Sequence, residues 1–523
     1  MKNWWKETVF YELYMPSFND SNGDGKGDFK GIIEKLDYLK NLGITGIWLT
    51  PFYQSPKIDN GYDISDYYSV DSDYGTMEDF EEFLDQAHKR GIKVIADLVL
   101  NHTSDQHKWF QEAKKSKDNS YRNYYIWKKN PNNWESFFSG SAWEWDEGTN
   151  EYYYHKFAVG QVDLNWSNPK VREEANKILE FWMDKGIDGF RLDVINFMTC
   201  EGITEDNPMD EKGEQDHKFD INQPGILDAI GGINKCVKSY GDKFLVGEIG
   251  SENLDVLKRY RDDGLLDVVF NFNLGSKKNF DAKEFYDEIE KMEKDLNGYP
   301  TIFFGSHDMP RHMSRFGESK RDIERAKAVA TFILTTKGVP FLYYGDEIGM
   351  TNLVANTLNE INDIQGRTNY KIERQKGGSH REALKIANEK TRDKSRSPMQ
   401  WNSKENSGFT TGIPWIKINE NYKILNVEDE RNRIDSLFNH YKKMIRLRKI
   451  EETLSYGEYK NLKYIDGLIS FERVYEGERV YIYINFTQTS NIVLPDGVYE
   501  VLAGEAKNIL IKNEILILKK GRK

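Results

Sequence analysis

GFRLDV (189–194), FLVGEI (244–249) and TIFFGSHD (301–308) decide the fold. Each is a short apolar run that closes on an acidic residue: Asp193, Glu248 and Asp308. Such runs, rich in β-branched or aromatic side chains, read as buried strands of a parallel sheet. A carboxylate at the carboxyl end of one strand after another is how a (β/α)₈ barrel assembles its site. Five further runs, VFYELYM (9–15), ITGIWL (44–49), IKVIADL (92–98), DVVFNF (267–272) and VPFLYYG (339–345), complete a set of eight.

Between the runs lie segments with helical spacing, at 28–42, 76–90, 169–185, 281–296 and 321–337. In the first, Ile32, Ile33, Leu36, Leu39 and Leu42 fall on one face. Alternating strands and helices predict an α/β fold, the TIM barrel, with a parallel sheet. Two stretches break the alternation. Residues 102–167, rich in Trp, Tyr, Asn and Gly, read as a lobe inserted after the third strand, and about 350–415 as an irregular, charged insertion after the eighth. Both leave the barrel's carboxyl face, so they should wall the pocket. The barrel is then expected over 1–101 and 168–454. From 455 to 523 alternation and turn signals (LISFERV, RVYIYINF, ILILKK) predict an antiparallel β domain of sandwich type.

At 523 residues the chain is long enough for two or three domains. Its net charge of −12, from 73 basic and 85 acidic side chains, leaves no basic patch for nucleic acid or a membrane surface. The start, MKNWWKETVFYELYMPSF, has neither the apolar core nor the cleavage site of a secretory signal. Cys200 and Cys236 sit in dissimilar contexts and read as free thiols, so a cytoplasmic location is expected. Aromatic residues reach 13%, which suits stacking on the flat C–H faces of sugar rings as well as it suits large cores. Paired carboxylates at strand ends are what hydrolysis of a sugar acetal requires, one as nucleophile and one as proton donor and acceptor.

The motifs DLVLNH (97–102), QVDLN (161–165), GFRLDVINF (189–197), VGEI (246–249), SHD (306–308) and TRDKSRSPMQW (391–401) occur in that order. Together they resemble the α-amylase family of retaining glycoside hydrolases, in its oligo-1,6-glucosidase and α-glucosidase branch, over almost the whole chain. The resemblance implies that Asp193 is the nucleophile, oriented by Arg191 on the same strand face, and Glu248 the acid/base. It implies that Asp308 is the third carboxylate and that His102 and His307 bind sugar hydroxyls. Tyr62 would stack on the terminal glucose, Asp63 would grip its outer hydroxyls, and Arg396 would pair with Asp63. Phe138, Phe157 and Gln161 would line the same pocket. Ser306 stands where the family usually has Asn. Val194, after the nucleophile, is the form found in α-1,6-acting members, whereas smaller residues are usual in α-1,4 maltases.

The loop DSNGDGKGD (20–28) offers oxygen from Asp20, Asn22, Asp24, the Lys26 carbonyl and Asp28. It is like half of an EF-hand loop without the closing Glu, because position twelve is Gly31. The family implies a structural Ca²⁺ or Mg²⁺ here and no organic cofactor. The expected activity is an exo-acting α-glucosidase on α-1,6-linked oligosaccharides, working as a monomer with no nucleic-acid or membrane partner. Trehalose-6-phosphate hydrolase, α-1,4-glucosidase and sucrose isomerase are the rivals within the family. A catalytically silent scaffold would have lost carboxylates that this chain retains.

Overall fold

The computed structural model describes residues 2–200, 205–296, 298–317 and 322–521. Residue 321, where one helix was expected to begin, lies outside them.

The eight runs form eight parallel strands: β1 (Phe10–Leu13), β2 (Gly46–Leu49), β3 (Lys93–Leu98), β4 (Gly189–Leu192), β5 (Phe244–Gly247), β6 (Val268–Val269), β7 (Thr301–Ile302) and β8 (Val339–Tyr343). Their spatial order is β6-β5-β4-β3-β2-β1-β8-β7, a barrel whose ladder is interrupted between β6 and β7. Inward-facing Phe10, Trp48, Ile95, Phe244, Val246, Phe303 and Phe341 fill its interior. Phe10 stacks on Phe341 at 4.8 Å and on Phe244 at 5.2 Å. Each such ring removed from water contributes about 1.5–3 kcal/mol, so the lower barrel is a packed plug rather than a channel. Above that plug the inward positions change character: Glu12 on β1, Asp97 on β3 and Arg191 on β4 are all buried.

The amphipathic segments form the outer helices Phe29–Leu42, Met77–Lys89, Pro169–Asp184, Ala282–Lys291 and Ile323–Thr335. The first is capped by Asp28, whose carboxylate accepts from Gly31 N, and it ends at Gly43 with φ 105°, a conformation glycine adopts freely.

The inserted lobe carries a three-stranded antiparallel sheet, with Glu151–Tyr154 between Trp127–Lys128 and Trp143–Asp146. Strand Gln161–Asp163 pairs with His102–Ser104 and returns the lobe to the barrel rim. The stretch after β8, expected to be irregular, contains two packed helices, Ile364–Gln375 and His380–Lys390. Their faces are mostly exposed and charged, so they lack the apolar stripe that marks a helix in a sequence. Ser379 and Glu382 form a reciprocal cap at the start of the second. The C-terminal part is a five-stranded antiparallel sheet with a short ribbon, Thr489–Asn491 against Ile509–Ile511. The buried Arg473 ties it to the barrel by donating to Thr335 O, and it braces its own domain by donating to Gly457 O. Among the described residues no helix is long and apolar enough to cross a membrane.

Candidate active site

Asp193 and Glu248 stand one residue beyond β4 and β5, strands that pair in register Leu192 to Gly247. The ladder continues through both, since Asp193 N donates to Leu98 O and Glu248 N to Leu192 O. Adjacent strands thus deliver the two carboxylates at one level. Arg191 joins them, with Nη1 2.5 Å from Asp193 Oδ1 and Nη2 2.5 Å from Glu248 Oε2. Nη1 also lies 2.7 Å from Asp97 Oδ1. Burial works against the charge on this guanidinium, but Asp97, Glu248 and Asp193 outweigh it. One guanidinium touching both carboxylates keeps them close together, as direct attack and a covalent intermediate require, whereas an inverting pair stands far enough apart to admit a water between its members.

Burial pushes both carboxyls upward. Glu248 rises to about 7, opposed by Arg191 and reinforced by the Asp193 charge. Asp193 rises to about 6, with Arg191 again opposing. Glu248 is therefore the member of the pair that holds a proton near neutrality. Val194 follows the turn off β4 with φ 37°, a left-handed conformation that costs a β-branched residue about 1–3 kcal/mol. In that conformation its N–H reaches Glu248 Oε2 at 3.3 Å.

Asp308 enters from beyond β7, its side chain 35% exposed to the pocket. Burial pushes its pKa up, but His307, Arg392 and Arg396 together hold it well below the usual carboxylate range. Ser306, in place of the family's Asn, accepts from Asp308 N through its hydroxyl and so fixes the turn that aims the carboxylate. Tyr62 lies parallel to the His307 ring at 5.3 Å and donates from its hydroxyl to Asp97 Oδ2. His102 contacts Tyr62 O and Gln161 Nε2, and burial lowers its pKa to about 4, so it is neutral.

Tyr62, His102, Asp193, Glu248 and Asp308 line a cavity of about 360 Å³ together with Phe138, Phe157 and Val194, while Arg191 and His307, expected to meet the sugar, stand behind that lining. Exposure falls from the cavity's mouth inward: Phe137 is 58% exposed, while His102 and Gln161 are each 1% exposed. The inserted lobe supplies Phe137, Phe138, Phe157 and Gln161, and the stretch after β8 supplies Gln365 and Arg392.

Two expectations are corrected. Asp63 does not face the cavity; its carboxylate turns into its own loop, accepting from Ile58 N, Asp59 N and Ser55 Oγ, and it is fully buried. Asp59, whose main-chain N–H donates to the Asp63 carboxylate, takes the expected place. Arg396 does not pair with Asp63; its Nη2 lies 3.0 Å from Asp308 Oδ1 and its Nε donates to His307 O. The arginine on the outer wall is Arg392, with Nη2 2.5 Å from both Asp59 Oδ1 and Asp363 Oδ1. Sequence reasoning also missed Phe137, Phe197, Phe272, Gln365 and the buried pair Glu12 and Asp97. A charged residue inside an apolar strand was the available signal for those last two.

In the 20–28 loop the donor oxygens are of the hard type that Ca²⁺ and Mg²⁺ take. Asp20 accepts from the amides of Asn22, Gly23 and Gly25 and from Thr410 Oγ1, and Asp28 from Ser21 and Gly31. Each carboxylate oxygen has two lone pairs. The four donors therefore fill Asp20, and a cation there would displace one of them, whereas Asp28, with three donors, keeps a lone pair free. Among the described residues no three Asp, Glu, His or Cys side chains gather as a metal cluster, so a cation here would lean on Asn22 and main-chain oxygen as well.

A parallel barrel that presents three carboxylates beyond β4, β5 and β7 around one cavity defines a sugar-hydrolase class of site. The alpha-amylase catalytic-domain family matches residues 12–457, and the chain belongs to that family of glycoside hydrolases. The chain is 42% identical to an oligo-1,6-glucosidase of Bacillus cereus over 98% of both chains. It is 41% identical to a trehalose-6-phosphate hydrolase of Bacillus subtilis, over 94% of this chain and 91% of the relative. Among solved structures it is similar to the trehalulose synthase of Pseudomonas mesoacidophila, with TM-score 0.92 and 37% identity over 99% of this chain and 100% of the other.

Proposed function

We propose that the protein is an exo-acting, retaining α-glucosidase that releases glucose from the non-reducing ends of α-1,6-linked, isomaltose-type oligosaccharides. The observation that carries this is Arg191, one guanidinium gripping Asp193 and Glu248 where both carboxylates line the cavity. Asp193 attacks the anomeric carbon to form a glycosyl-enzyme, while Glu248 protonates the departing oxygen and then takes a proton from water. Asp308 and His102 bind hydroxyls of the sugar ring, His307 backs Asp308 and Tyr62 from behind the wall, Tyr62 stacks on the ring, and Asp59 with Arg392 grips its far end. Phe138, Phe157 and Gln161 complete the walls. A cavity of about 360 Å³ whose inner residues are buried supports binding of one glucosyl unit and hence exo action.

The α-1,6 preference is supported by Val194 beside the nucleophile and by relatives named oligo-1,6-glucosidase. Trehalose-6-phosphate hydrolysis would need a free cation for phosphate, and the arginine lining this cavity is already engaged by Asp59 and Asp363. We further propose that a structural Ca²⁺ or Mg²⁺ sits in the 20–28 loop, held by Asp20, Asn22, Asp24, the Lys26 carbonyl and Asp28. We also propose that the enzyme is cytoplasmic and acts as a monomer, the first supported by Cys200 and Cys236 not being joined as a disulfide. Initial rates on isomaltose, maltose, sucrose and trehalose 6-phosphate test the reading. Isomaltose should give the highest kcat/KM; a preference for any of the other three would replace the proposed substrate.

A further inference from the structure

Glu12, buried at the carboxyl end of β1 and 1% exposed, touches no part of the cavity, yet it is the anchor of its hydrogen-bond network. Its Oε1 lies 2.6 Å from His307 Nδ1 and accepts from His307 N at 3.0 Å. On the other side of the ring, His307 Nε2 lies 2.7 Å from the Tyr62 hydroxyl and 3.0 Å from Asp308 Oδ2. Counting protons decides what the ring must be. The single hydroxyl proton of Tyr62 is committed to Asp97 Oδ2, 2.9 Å away, so the Tyr62 oxygen is an acceptor toward Nε2. Asp308 is also an acceptor, so Nε2 carries hydrogen. Burial raises the Glu12 pKa and His307 opposes that rise. With Oε1 already receiving the His307 main-chain N–H and facing Nδ1 at charge-assisted distance, the ionised carboxylate is the acceptor and Nδ1 carries hydrogen too.

We propose that Glu12 is a positioning residue that keeps His307 as a doubly protonated cation, and through it aims Asp308 and Tyr62 at the sugar in the cavity. A neutral ring would turn a lone pair either on Glu12 or on the Tyr62 and Asp308 oxygens. The surroundings of His307 favour the cation from every side. Glu12 approaches from β1, Asp308 from its own loop, Tyr62 from the loop after β2, and Asp97 of β3 stands behind Tyr62. Arg396, the neighbour of like charge, meets the His307 carbonyl rather than the ring. Tyr14 stacks on the ring at 6.1 Å and Trp48 meets it edge-on at 5.9 Å, and neither brings a charge. Burial lowers the imidazole's pKa, but Asp308 and Glu12 outweigh it and raise it to about 9. The same network runs on from Asp97 to Arg191, and thus to Asp193 and Glu248. One buried carboxylate on β1 is therefore coupled to both sides of the cavity.

The role of Asp308 rests on the α-glucosidase reading; the protonation state of His307 does not. Two measurements separate them. Glu12→Gln keeps the side chain's shape and removes its charge. The ratio of its kcat/KM on 4-nitrophenyl α-glucoside to that of the unmodified protein should stay near one at pH 5.5. It should fall at least tenfold by pH 8 as His307 loses its proton. A ratio that does not change with pH, whether near one or uniformly low, overturns the proposal. In the unmodified protein, ¹⁵N spectra of labelled histidine, with His307 identified by its loss in His307→Gln, should show both ring nitrogens protonated at pH 7.5. A single-tautomer neutral ring overturns the proposal even if Glu12→Gln fails to fold. If His307 is cationic but the enzyme turns over no α-glucoside, the functional reading fails and the assignment of the ring stands.

Discussion

Asp59 and Asp63 occupy one turn, and replacing each with asparagine separates the wall of the cavity from its scaffold. Asp59 presents a charged carboxylate to the cavity, with Oδ1 2.5 Å from Arg392 Nη2 and Oδ2 3.2 Å from Gln161 Nε2. A hydrogen bond from a sugar hydroxyl to a charged acceptor contributes about 1.5–3 kcal/mol. At roughly 1.4 kcal/mol per tenfold, Asp59→Asn should lower kcat/KM by about 10- to 150-fold. Asp63 meets no sugar, and its oxygens serve two backbone amides and Ser55. Asp63→Asn leaves a buried N–H without an acceptor, at a cost of about 1–3 kcal/mol in stability. It should therefore lower the melting temperature while kcat/KM on 4-nitrophenyl α-glucoside stays close to that of the parent. The reasoning is refuted if Asp63→Asn loses activity as severely as Asp59→Asn at an unchanged melting temperature, or if Asp59→Asn is fully active.

Catalysis needs Asp193 deprotonated and Glu248 protonated, so kcat/KM should rise with pH through the Asp193 value, about 6, and fall through that of Glu248, about 7. A flat profile from pH 5 to pH 9 would contradict these roles. Val194→Ala should raise the rate on maltose relative to isomaltose by about 1–3 kcal/mol, roughly 5- to 150-fold, and an unchanged ratio in paired assays would remove the basis for linkage preference. Removing divalent cations with a chelator should lower the melting temperature by several degrees, with Ca²⁺ restoring it and Asp20→Ala abolishing the response; no shift in the parent would mean that hydrogen bonds alone hold the 20–28 loop.

Much of this was legible in the sequence because a parallel barrel repeats one local pattern. Apolar runs of strand length gave all eight strands, and an acidic residue one step past a run located Asp193 and Glu248 at its end. What stayed hidden depends on distant packing. DNGYD presents two carboxylates in one turn, and only the fold shows that Asp63 bonds inward while Asp59 looks out. Arg392 and Arg396 share a segment that winds as a turn of 3₁₀ helix, and which of them reaches the outer wall is set by the insertion that carries Asp363. The helices at 364–375 and 380–390 bury few residues, so periodicity was silent there. Glu12 and Asp97 lay inside runs that read as uniformly buried, and their partners come from other strands.

The most direct test is to trap the intermediate. A slowly turned-over fluorinated α-glucosyl donor, followed by peptide mass spectrometry of the inactivated enzyme, should find one hexosyl unit esterified to Asp193 and none after Asp193→Asn. A label on another carboxylate, or turnover that releases glucose with inverted anomeric configuration and no covalent species, would contradict the nucleophile that Arg191 holds in place.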